Sequence, residues 1–124
     1  MSDNTVVGLK KHFHIESARF LPQLPTSHPC HHMHGHSFKI ILTLVGDLDP
    51  KIGWVIDYND IQALMKPHID KIDHRVLNEV EGLENPTSEL LAKWVYDHAK
   101  KSLPQLVRVS IAETPSTECS YPVA

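Results

Sequence analysis

The chain has 124 residues, 41% of them hydrophobic, and a formal net charge of -3 at neutral pH. That size suits one domain with its own core, expected over residues 1–124, and the mild acidity lacks the basic footprint of a direct nucleic-acid binder. No apolar run approaches the ~20 residues of a membrane span, Met1-Ser2-Asp3-Asn4-Thr5 lacks the regions of a signal peptide, and the two cysteines, Cys30 and Cys119, make no disulfide framework, so a reducing cytoplasm is the expected setting.

Val6 to Ala18 reads as a first strand, with Phe13, Ile15 and Ser17 on one face and His14, Glu16 and Ala18 on the other. Phe20 to Pro29 contains three prolines and reads as a stiff connecting loop that delivers the chain to Cys30. Ser37 to Val45, rich in β-branched and aromatic residues, is the second strand, and Gly46-Asp47-Leu48-Asp49-Pro50 turns the chain. Asp57 is placed to cap a helix carrying Ile61, Leu64, Met65, Ile69 and Ile72, which Pro67 should kink or split. A second helix, capped by Asn85 or Thr87, carries Leu90, Leu91, Trp94, Val95 and Ala99. Leu106 to Thr114 alternates as a third strand, and a short fourth is expected over Cys119 to Val123. The order ββααββ gives an α+β domain, a four-stranded antiparallel sheet with both helices on one face. Two open edges favour self-association.

Chemistry concentrates in Cys30-His31-His32-Met33-His34-Gly35-His36. His-x-His in or beside a strand puts both rings on one face, where two neutral imidazoles suit a borderline metal such as zinc. Cys30, four residues before His34, is near enough to act beside such an ion without binding it. The plainer readings are a histidine-rich loop for the run and a small core residue for Cys30. Asp73-His74 closes the first helix, where a lone histidine would also suit the helix dipole. Glu113, at a strand end, reads in isolation as a solvated carboxylate.

Five ordered motifs carry a resemblance that covers nearly the whole chain: His28-Pro29-Cys30-x-x-x-His34-Gly35-His36-Ser37-Phe38, Gly53-Trp54-Val55-Ile56-Asp57-Tyr58, Asp73-His74-x-x-Leu77-Asn78, Gly82 to Glu89, and Glu113-Thr114. The sequence resembles the 6-pyruvoyl-tetrahydropterin synthase superfamily, and within it the 6-carboxy-tetrahydropterin synthase branch of the queuosine pathway. The resemblance implies the tunnelling fold (T-fold), a homohexamer built of two trimers, and active sites at subunit interfaces. It implies a carbon–carbon lyase in which 7,8-dihydroneopterin triphosphate loses triphosphate and acetaldehyde to leave 6-carboxy-tetrahydropterin. Two alternatives stay open, the pyruvoyl activity and a pterin-binding relative without the usual zinc site. By resemblance, His34 and His36 are ligands of a Zn2+ cofactor, Cys30 is the base, Asp73 and His74 activate it and shuttle protons, and Glu113 anchors the pterin ring.

One position departs from the family pattern. Where a third histidine ligand belongs, in a stretch close to Ala-His-x-Leu-Pro, this chain reads Ala18-Arg19-Phe20-Leu21-Pro22. A guanidinium stays protonated and cannot bind zinc. Another histidine must then complete the site, or two histidines and water hold the ion, or the ion is gone and Arg19 holds oxygens of the substrate. His32 is the leading substitute, because His32, His34 and His36 share a parity. Same-face neighbours in a straight strand lie about 7 Å apart, so the chain would have to bend there. His14, His28 and His31 are the other candidates.

Overall fold

Alternation sets the core. Phe13 and Ile15 on the first strand, and Phe38, Ile40, Leu42 and Leu44 on the second, are buried, and the side chains between them on the first strand are exposed. In the computed structural model, which describes residues 4–123, these strands are β1 (Val6–Arg19) and β2 (His34–Asp47). They are followed by α1 (Tyr58–Asp70), α2 (Ser88–Ala99), β3 (Leu106–Thr114) and β4 (Thr117–Tyr121), with short 3-10 turns over Pro29–His31 and Leu77–Glu79. The sheet runs β1-β2-β3-β4 and every neighbouring pair is antiparallel. The expected α+β order ββααββ is the observed one.

The helices bury Ile61 and Met65 of α1 and Leu91, Ala92, Val95 and Ala99 of α2 in the same cluster as the strand residues. Each helix starts on a side-chain cap. The Asp57 carboxylate accepts from the Asn59 N–H at 2.8 Å, and the Thr87 hydroxyl accepts from the Leu90 N–H at 3.1 Å. Of the two expected caps for α2, the structure therefore uses Thr87. Pro67 lies within α1 without dividing it. It falls in the last turn, where the missing N–H costs one bond and little helix remains to redirect. β2 starts three residues earlier than the apolar pattern suggests, and β4 is shifted to Thr117–Tyr121, ahead of Pro122.

Between the helices, residues 72–76 lie along the outer edge of β1. The Ala18 N–H donates to Arg75 O at 2.9 Å, the His74 N–H donates to Glu16 O at 2.7 Å, and Ala18 and Val76 form a parallel bridge. The chain then turns at Gly82 (φ +90°), beneath Trp94, whose indole N–H donates to Glu81 O at 3.0 Å. A Cβ on Gly82 would lie 3.2 Å from Trp94 Cδ1. Gly82→Ala combines that contact with a left-handed backbone and is expected to destabilise the fold by about 1–3 kcal/mol. The measurement is a lower urea midpoint at unchanged slope; an unchanged midpoint would mean that the turn relaxes at no cost.

Candidate active site

The buried face of the sheet continues past its apolar end. In the β1–β2 register Ile15 faces Phe38, Ser17 faces His36, and Arg19 faces His34. On β3, Ile111 faces Ile40, and Glu113 follows two residues later on the same side. The side that is Phe, Ile and Leu over the core therefore becomes Ser17, Arg19, His34, His36 and Glu113 at one end.

Arg19 holds this end together. It is 4% exposed. Its Nη1 donates to Pro86 O at 3.1 Å, its Nη2 donates to Glu113 Oε1, and Cζ sits 5.0 Å from the centre of the Phe38 ring. Ser88 Oγ, in the first turn of α2, donates to the same Glu113 oxygen. His36 Nε2 is 3.5 Å from Glu113 Oε2, and its ring packs edge-on against Phe38. Burial alone would push the Glu113 carboxyl up. The hydrogen bonds from Ser88 and Arg19, with the charges of Arg19 and His36, outweigh it and hold the group below the usual carboxylate range. Oε1 thus has two donors already, and Oε2 is the oxygen left for a ligand.

Arg19, Ser88 and Glu113 line a cavity of about 360 Å³ together with Cys30 and Cys119. This volume is within the range of small-molecule sites. Cys30 reaches it from the turn Pro29–His31, which is tied to the end of β1 by the Leu21 N–H to Cys30 O bond at 2.8 Å. The second thiol is poorly suited to act as a base, because burial, with the Glu89 carboxylate, pushes Cys119 up.

Asp73 and His74 form a pair elsewhere. His74 Nδ1 donates to Asp73 Oδ1 at 2.9 Å, which leaves Nε2 as the ring's unengaged nitrogen. Asp73 Oδ1 also accepts from the Glu16 N–H at 3.0 Å. The His74 backbone is left-handed (φ 57°), a conformation that non-glycine residues adopt at a cost and that is concentrated at functional sites. His74 opens onto a second, wider cavity with Ser17, His36 and Arg75, of about 690 Å³. The structure brings Cys30 and Glu113 to one cavity, His74 and His36 to the other, and links them through the His36–Glu113 contact.

The expected zinc site does not form from these residues. His32 lies outside β2, as the extended residue that follows the turn Pro29–His31, and its Nε2 donates to Thr26 O at 3.1 Å. The parity shared by His32, His34 and His36 therefore does not converge, because the chain leaves extended pairing before His34. His31 Nδ1 donates to Leu24 O at 2.9 Å and His34 Nδ1 to His32 O at 2.7 Å, so much of the histidine run braces its own loop. Among the described residues no three His, Cys, Asp or Glu side chains are arranged to hold a metal ion. Arg19, a permanent cation, faces His34 in the strand register. The residues present do not fit the ion.

Sequence reading missed three partners of Arg19 and Glu113: the Ser88 hydroxyl, the Pro86 carbonyl and the Phe38 ring. Ser88 carried a usable signal, since it follows the cap Thr87 at a helix start, where carboxylates are favoured. The Pro86 carbonyl carried none.

The family profile described as 6-pyruvoyl tetrahydropterin synthase matches residues 8–123. The 6-carboxy-5,6,7,8-tetrahydropterin synthase of Bacillus subtilis is 29% identical over 122 residues, covering 91% of this chain and 83% of the relative. The protein of the same name from Synechocystis is 32% identical over 117 residues, covering 90% and 89%. Among solved structures, the 6-pyruvoyl tetrahydropterin synthase of Caenorhabditis elegans overlays with a TM-score of 0.90 at 26% identity, covering 100% of each chain. The chain belongs to the 6-pyruvoyl tetrahydropterin synthase family.

Proposed function

We propose that this chain is a 6-carboxy-tetrahydropterin synthase, a carbon–carbon lyase that takes 7,8-dihydroneopterin triphosphate to 6-carboxy-tetrahydropterin with loss of triphosphate and acetaldehyde, in the queuosine pathway. One observation carries the reading: Cys30 and Glu113 line the same cavity, of a size for a small bicyclic ring. The relatives named for this activity, which span nine tenths of the chain, support it.

Each residue then has a task. Glu113 Oε2 accepts one N–H of the pterin, while Oε1 is held by Arg19 and Ser88. Cys30, as thiolate, takes a proton from a side-chain carbon of the bound substrate. His74, kept in one tautomer by Asp73, gives and takes protons through Nε2. Within one chain His74 opens onto a different cavity from Cys30. That separation supports a homo-oligomer, a hexamer by resemblance, in which neighbouring subunits complete each site. β4 and the first part of β1 are edges available for such pairing. A cytoplasmic setting fits the free thiols of Cys30 and Cys119, and no helix among the described residues is long and apolar enough to cross a membrane.

Product analysis tests the activity. Incubation with dihydroneopterin triphosphate should yield 6-carboxy-tetrahydropterin and acetaldehyde; a 6-pyruvoyl product without acetaldehyde would move the chain to the eliminating activity. Cys30→Ala should lower turnover by about 10²–10⁴-fold with an unchanged thermal midpoint, and near-normal turnover would remove Cys30 from the mechanism. Light scattering at micromolar concentration should give a closed assembly, against which a monomer would count directly.

A further inference from the structure

We propose that the Arg19–Glu113 ion pair stands in place of a resident divalent metal in this chain, so that Arg19, and not zinc, is the fixed cation of the site. The proposal deepens the pterin reading and rests on it for its turnover measurement alone.

Three observations carry it. First, Arg19 shares a sheet face with His34 and His36 and is paired in register with His34, so a cation bound by the two imidazoles would share that face with a guanidinium. Like charges repel strongly where little water screens them, and Arg19 is 4% exposed. Second, the guanidinium is held on several sides, by Pro86 O, Glu113 Oε1 and the Phe38 ring. It cannot swing aside for an ion without leaving Glu113, whose carboxyl burial already disfavours as a free anion. Third, the imidazoles do not converge on one point. His32 Nε2 is spent on Thr26 O and His36 Nε2 points toward Glu113, so that His34, whose Nδ1 donates to His32 O, is left with a free Nε2 and, among the described residues, no set of three metal-ligating side chains around it.

A positioned guanidinium supplies part of what a metal supplies. It places a permanent positive charge beside the Cys30 cavity and keeps Glu113 ionised. Arg19 Nε is buried with no hydrogen-bond partner, so the hydrogen bonds that hold the group are those of Nη1 and Nη2. Arg19 is a positioning residue for Glu113 and the source of the site's charge.

The test is zinc binding, measured by calorimetry and metal content on the intact assembly. Wild-type protein should bind zinc more weakly than about 1 μM and carry it below equimolar amounts. Arg19→His, which adds a third imidazole to the face of His34 and His36, should bind equimolar zinc at least about tenfold more tightly. Because removing Arg19 leaves Glu113 without its cation, the double variant Arg19→His/Glu113→Gln is measured alongside, with thermal melting to establish folding. Tight equimolar zinc in the wild type overturns the proposal, and so does an unchanged zinc affinity in both folded variants. Exhaustive chelation should leave wild-type turnover of dihydroneopterin triphosphate within about twofold, well short of the 10²-fold scale of a lost catalytic group. Loss of turnover on chelation, restored by zinc, overturns the proposal. Absence of turnover before chelation counts against the pterin reading, while the zinc measurements still decide this one.

Discussion

Fourteen residues of β1 pair with fourteen residues of β2 without a slip, and most of the molecule follows from that register. It aligns odd positions of β1 with even positions of β2. One continuous side of the sheet therefore carries Phe13, Ile15, Phe38 and Ile40, and the same side then carries Ser17, Arg19, His34 and His36. A one-residue slip would expose the first group and turn the second away from Glu113. Core and site are two ends of one alternation, so the helices that cover the apolar end also bound the polar one. The start of α2 brings Ser88 to Glu113, and the turn before it brings Pro86 O to Arg19.

Burying a guanidinium at the edge of such a core is costly unless its bonds are supplied. The chain supplies those of Nη1 and Nη2, though not of Nε, and supports the group from four places distant in sequence: a β3 carboxylate, a loop carbonyl, an aromatic face on β2 and, through Glu113, a helix-start hydroxyl. A pair of this kind adds little net stability over an apolar replacement. Its effect is on geometry, since the guanidinium and carboxylate fix each other's rotamers and leave Glu113 with one oxygen toward the cavity.

The order of elements was legible because local signals agreed with the tertiary outcome. Asp57 and Thr87 cap where caps were expected, and the alternation of Phe13, Ile15 and Ser17 survives unchanged. The start of β2 was not legible, because His34-Gly35-His36 has no apolar residue to announce a strand and pairs through backbone bonds to Ser17, Ala18 and Arg19. His32 misled for a related reason: it lies before the paired strand, at the end of the turn Pro29–His31, and its ring is turned to Thr26 O instead of toward His34 and His36. The Arg19–Glu113 contact spans 94 residues and depends on the register of three strands, so no local pattern could disclose it. Sequence could say that Arg19 does not bind a metal and needs an anion. It could not say that the anion is the residue expected to hold the pterin.

The histidine-braced turn has a directional chemistry. His31, His32 and His34 each donate a ring N–H to a carbonyl, and a second proton on any of these rings leaves that bond in place. His28 works the other way: its Nδ1 accepts from the Cys30 N–H at 3.1 Å. The backbone of Cys30 is therefore tied on both of its polar groups, its N–H to the His28 ring and its carbonyl to the Leu21 N–H at 2.8 Å, while the neighbouring rings brace the loop around it. The residue that carries the thiol is thus held independently of the three rings that brace the loop, so loss of any one of those rings leaves both ties on Cys30 in place.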